Sequence, residues 1–92
     1  MSKKAATAAE KRHMDKVAAL GCIACKVIGH DDTPAEIHHL DRARIHTRVL
    51  PLCAYHHRHG PAGQAVHNCT PEWEHNFGTQ EDLLLQVNEQ LC

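Results

Sequence analysis

A chain of 92 residues with one Tyr, one Trp and one Phe is a single domain whose apolar core is expected to be thin and aliphatic, so that a structural metal would supply missing folding free energy. No apolar run approaches the roughly 20 residues that span a bilayer, and the opening Met1-Ser2-Lys3-Lys4 lacks the apolar core of a secretory signal, so the expectation is a cytoplasmic protein with reduced thiols. The net charge of −1 hides an asymmetry: all ten Lys and Arg lie in residues 1–58 beside six acids, whereas residues 59–92 carry five acids and no base. A basic half is compatible with a polyanionic partner without demanding one.

Residues 1–8 are small and polar and are expected to form a flexible tail, leaving 9–92 as one domain. From Ala9 to Leu20 the spacing of Met14, Val17 and Ala18 predicts a helix that Gly21 ends. Cys22-Ile23-Ala24-Cys25 is expected to be a tight metal-binding turn, and Gly29 to Pro34 a loop. Ala35 to Leu40 and Val49 to Leu52 read as two short strands joined by the arginine-bearing stretch 41–48. Pro51 cannot donate to a ladder, so its strand should lie at an edge or end there. Ala54 to His59 is expected to be helical and to stop at Gly60-Pro61. Thr70-Pro71 reads as an N-cap and first-turn proline for a short helix holding Trp73 and Phe77. A last helix from Thr79 has Glu81 and Asp82 in its first turn and an apolar stripe of Leu83, Leu84, Val87 and Leu91. The fold class is therefore α+β, a small hairpin core with flanking N- and C-terminal helices.

The five cysteines, with one C-x-x-C, read better as metal ligands than as a disulfide framework; a thioredoxin-like redox pair lacks its βαβ context. Cys22 with Cys25 and Cys53 with His56 form two chelating pairs of equal spacing, enough to close a tetrahedral zinc shell. The 27 residues between the pairs are too many for an ordinary DNA-reading finger. With four protein ligands this zinc would be structural. His38, His39, His57 and His67 are then surplus. A structural zinc domain has no use for them, whereas a hydrolytic metal site needs neutral ligands, open positions and a nearby base.

The segments Ile37-His38-His39-Leu40 and Leu52-Cys53-Ala54-Tyr55-His56-His57 resemble the HNH, or ββα-metal, nuclease motif. Gly21-Cys22-Ile23-Ala24-Cys25, Glu36-Ile37-His38-His39, Pro51-Leu52-Cys53, His56-His57-Arg58, Val66-His67 and Phe77-Gly78-Thr79-Gln80 together are similar to the phage recombination-enhancement, RecA-dependent nuclease (Ref) group, over about residues 10–91. The resemblance implies a zinc-stabilised ββα-metal fold and hydrolysis of DNA phosphodiesters. It makes His39 the general base, and His38, His57 and His67 the holders of one divalent cation, Mg²⁺ or Mn²⁺; the roles of His38 and His39 are open to exchange. Strand alternation would send those two to opposite faces, so both reach one phosphate only if the strand is distorted at its end. A recombinase filament enters as a partner through the resemblance alone.

Two departures stand out. The position usually held by Asn or Asp falls near Arg48, so the loop is held differently or the register is shifted. The group also includes members with a long basic N-terminal arm, which residues 1–8 do not resemble. Arg42, Arg44, Arg48 and Arg58 flank the expected site and would hold the phosphates of DNA, double-stranded in preference, with little sequence readout. His46 and His59 are expected to be peripheral. The competing reading is a non-catalytic zinc module that binds DNA or protein; it accounts for Cys22, Cys25, Cys53 and His56 and leaves the other four histidines without a task.

Overall fold

The computed structural model describes residues 5–91. Half of the tail expected at 1–8, and Cys92, lie outside the described residues. Helix α1 (Ala8–Ala19) begins one residue earlier than the spacing predicts, because Thr7 and Glu10 form a reciprocal cap. The Glu10 backbone N–H donates to Thr7 Oγ1 at 3.1 Å, and the Thr7 N–H donates to Glu10 Oε1 at 2.8 Å. Val17 is fully buried and Met14 packs against the core. Gly21, at φ 83°, then turns the chain. A Cβ there would approach the Thr33 carbonyl to 3.2 Å, so both conformation and space require glycine.

The expected Cys22–Cys25 turn is a short helix, α2 (Ile23–Val27). Cys22 is its N-cap, its sulfur accepting from the Cys25 N–H at 3.4 Å, and the Cys22 carbonyl accepts from Lys26 N–H at 3.1 Å to continue the spiral. The thiol thus does the work that a Ser or Asp hydroxyl or carboxylate does at other helix starts.

Strands β1 (Glu36–His39) and β2 (Val49–Leu52) pair antiparallel, with Glu36 opposite Leu52 and His39 opposite Val49. Leu40 N–H donates to the Arg48 carbonyl at 3.1 Å, which makes 40 and 48 a hydrogen-bonded pair. Alternation along the ladder then puts Ile37 and Pro51 in a non-hydrogen-bonded pair, so the missing Pro51 N–H costs the sheet nothing. All four β2 residues are buried, and α1, α2 and α4 (Gln80–Leu91) pack on this strand. β2 is the axis of the core.

The segment expected to be helical after Cys53 is a single π turn, Tyr55–His59, in which Gly60 N–H reaches back five residues to the Tyr55 carbonyl at 2.8 Å. Gly60 is extended and Pro61 cannot donate, so the wide turn is not propagated. The following loop docks on it: the N–H groups of Val66 and His67 donate to the carbonyls of His56 and His57 at 2.8 and 3.2 Å.

Helix α3 (Thr70–Phe77) differs from expectation at its start. Its N-cap is Cys69, in the left-handed region at φ 64°, and Thr70 sits inside the helix, its hydroxyl donating to the Val66 carbonyl at 2.7 Å. Trp73 and Phe77 are buried in a core that is otherwise largely aliphatic, whereas Tyr55 is exposed. Thr79 caps α4 by accepting from the Asp82 N–H at 3.1 Å, and Leu83, Leu84 and Val87 face inward with Leu91 partly covered.

Candidate metal centre and active site

Cys22 and Cys25 from the start of α2, Cys53 from the end of β2 and His56 from the π turn converge in the interior, each at most 7% exposed. Cys25 Sγ lies 3.8 Å from Cys53 Sγ and 3.3 Å from His56 Nδ1; Cys53 Sγ is also 3.3 Å and Cys22 Sγ 3.7 Å from that nitrogen. A tetrahedron centred about 2.3 Å from sulfur and about 2.0 Å from nitrogen has edges of roughly 3.5–3.8 Å. The spacing fits. Burial pushes the Cys22 thiol up to about 12 and pulls His56 below the ordinary imidazole range. Buried thiolates need a compensating positive charge, and a neutral imidazole is the ligand form of histidine, so this Cys₃His group is compatible with zinc.

A second cluster is built from His38, His57 and His67. His38 from β1, His57 from the π turn and His67 from the docked loop bring their ring centroids within 4.8–5.2 Å of one another, with His57 Nε2 3.1 Å from His67 Nε2. The two backbone bonds from Val66 and His67 to the π turn are what place His67 there. Burial first, then the neighbouring histidines, lowers His38 to about 4 against the opposing hydrogen bond to Gln80, and burial with His57 lowers His67. Three imidazoles can gather so closely only with at least two of them uncharged, the state in which histidine binds metal.

Two of the three rings have a hydrogen-bond partner outside the cluster, in Glu36 and Gln80. Glu36 Oε1 is 2.7 Å from His57 Nδ1, and the same carboxylate accepts from Arg58 Nε and Nη2 at 2.8 and 2.7 Å. These hydrogen bonds, from Arg58 first and His57 second, hold the Glu36 carboxyl down to about 2. Such a carboxylate accepts the hydrogen bond from Nδ1–H, which in the neutral ring leaves the lone pair of His57 on Nε2, beside His67. His38 Nε2 is 2.7 Å from Gln80 Oε1, with the Gln80 N–H in turn donating to Glu74 Oε2 at 2.8 Å.

A cavity of about 630 Å³ joins these groups; His38, His39, His57, His67, Arg42, Arg44, Asp41 and Gln80 are among its lining residues. His39 follows His38 on β1, yet both line it, because the strand ends there and the cavity continues onto the loop beyond, Leu40 to Arg44. His39 Nε2 is 3.0 Å from His46 Nδ1. The profile of a family described as recombination enhancement, RecA-dependent nuclease matches residues 6–92.

The chain belongs to that family. It is thus a member of a nuclease group named for its dependence on RecA, and the nearly complete match covers every residue of both histidine and cysteine clusters. Of the residues singled out in this RecA-dependent nuclease sequence, Cys22, Cys25, Cys53 and His56 form one group, and His38, His57 and His67 the other. Arg42 and Arg44 are on the cavity wall, whereas Arg48 and Arg58 are engaged with carboxylates. Arg48 donates through Nε to Asp41 at 2.7 Å and through Nη2 to Glu81. The loop 41–48 is thus held by a guanidinium that bridges Asp41 to Glu81 in α4.

Three residues of this nuclease acquire neighbours that the sequence did not announce: Glu36, Gln80 and His46. The first had a signal, since residues 36 and 38 of one strand face the same way. Gln80 and His46 come from an element 42 residues away and from a loop, and spacing carries no trace of either contact.

Proposed function

We propose that this family member is a metal-dependent endonuclease of the HNH type that hydrolyses phosphodiester bonds in DNA. What carries the reading is the meeting of His38, His57 and His67 with His39 on one open cavity, with Glu36 orienting His57 from behind. Three imidazoles whose ligand atoms lie within 4.8 Å of one another are a ligand set, and a separate Cys₃His group leaves them free of a scaffold role.

His39 acts as the base, taking a proton from the water that attacks phosphorus. His38, His57 and His67 would hold a Mg²⁺ or Mn²⁺ ion, which when bound neutralises charge developing on the leaving 3′-oxygen. Arg42 and Arg44 bind phosphates beside the cut, with Arg48 and Arg58 flanking them while tied to Asp41, Glu81 and Glu36. The Cys₃His group holds a structural zinc. Duplex DNA is the expected substrate, and a RecA filament the expected partner by family membership. No helix among the described residues is long and apolar enough to cross a membrane.

The test is plasmid cleavage with Mg²⁺ or Mn²⁺, with and without RecA filaments, comparing wild type with His39→Ala after checking zinc content and fold. Cutting that the variant loses supports the reading. Equal cutting by both removes His39 from the chemistry, and no cutting by either under any condition favours a binding module.

A further inference from the structure

The reaction proposed above leaves His46 without a task, although its ring lies against that of the base. His39 Nε2 and His46 Nδ1 are 3.0 Å apart, with the rings edge to face at 76°. At that distance one nitrogen donates and the other accepts. A histidine ring has only two nitrogens. With Nε2 hydrogen-bonded to His46, a His39 that acts as base through its other nitrogen has its lone pair on Nδ1 and carries its hydrogen on Nε2.

We propose that His46 is a positioning residue for His39. Its Nδ1 accepts the hydrogen bond from His39 Nε2–H, which fixes the tautomer whose basic lone pair is on Nδ1 and holds the ring at the end of β1. The inference rests on His39 being the base. As the oxygen of water bonds to phosphorus and the bond from phosphorus to the 3′-oxygen breaks, the water proton moves to His39 Nδ1. The ring becomes an imidazolium with hydrogens on both nitrogens. The Nε2–H bond to His46 then joins a charged donor to a neutral acceptor and strengthens, so His46 favours the reacting state while keeping its own protons.

The loop is built to keep His46 in place. Arg48 N–H donates to the Ile45 carbonyl at 3.0 Å, Leu40 N–H donates to the Arg48 carbonyl at 3.1 Å, and Arg44 N–H donates to the Asp41 carbonyl at 3.0 Å. The Arg48 side chain adds its bridge between Asp41 and Glu81. His46 is half-buried, in contrast to the exposed Ile45 and Thr47 beside it.

The zinc-loaded full chain, as wild type, His46→Ala and His46→Asn, tests this by two readouts. The asparagine places Oδ1 where Nδ1 stood, retaining an acceptor without a titrating ring. Steady-state cleavage should show kcat lowered roughly 10- to 100-fold by alanine with KM changed less than about twofold, and most of the loss recovered by asparagine. Long-range ¹⁵N–¹H spectra of histidine-labelled protein should show His39 protonated at Nε2 in wild type and in His46→Asn, and a tautomer mixture in His46→Ala. Full activity of His46→Ala, or a His39 tautomer that ignores the substitution, overturns the proposal. If wild type does not cut DNA at all, the nuclease reading fails, while the spectra still decide whether His46 sets the His39 tautomer.

Discussion

Glu36 holds His57 from behind: one carboxylate oxygen lies 2.7 Å from Nδ1 while Arg58 occupies both oxygens of the same group. A carboxylate so placed orients the ring and raises the donor strength of the opposite nitrogen. Glu36→Gln should therefore weaken binding of Mn²⁺ to the three-histidine cluster by roughly 10- to 100-fold. Calorimetric titration of the zinc-loaded protein would show it; unchanged affinity would mean that His57 is held by other contacts.

The Cys₃His group should govern folding itself. Cys53→Ala, or removal of zinc by a strong chelator, should abolish the cooperative thermal transition and much of the far-ultraviolet helical signal, since the thin core must then bury unpaired ligand groups. Elemental analysis should find one zinc per chain retained through dialysis and lost in the variant. A chain that keeps its melting transition without zinc would contradict this.

Arg42 and Arg44 line the cavity with exposed side chains. In a His39→Ala background that binds without cutting, replacing either with alanine should weaken duplex binding uniformly across sequences. It should also reduce the salt dependence by about one unit of slope, as for one lost phosphate contact. Fluorescence anisotropy across a salt series would measure it.

Arg48 ties Asp41, at one end of the loop that lines the cavity, to Glu81 in the first turn of α4. Exposed ion pairs add little to stability, so Arg48→Ala should leave the melting temperature within a few degrees of wild type. The cleavage rate should nevertheless fall by roughly tenfold or more, because loosening the loop frees the groups that set His39 and shifts Arg42 and Arg44. A parallel loss of stability and rate would instead make Arg48 a general fold determinant.

Much of this arrangement is legible in the chain. C-x-x-C followed by C-x-x-H marks a four-ligand group because chelating pairs need a short turn, and the structure gathers those residues. The hairpin reads from Ile37, Val49, Leu50 and Leu52 bracketed by polar loops, and strand bounds differ from expectation by a residue at each end of β1. The π turn is not legible, since composition does not distinguish a five-residue reach from a four-residue one. Cys69 in place of Thr70 as the cap of α3 is equally hidden: the Thr70 hydroxyl is drawn to Val66 by tertiary contact. Gln80 and His46 share that character. Their meaning comes from what folding sets beside them.

His56 and His57 are consecutive, and one points into the sulfur cluster while the other points to the imidazole cluster. On the reading above, the π turn couples the two centres: loss of zinc from the sulfur cluster would loosen the turn and with it the imidazole that the turn carries into the cavity.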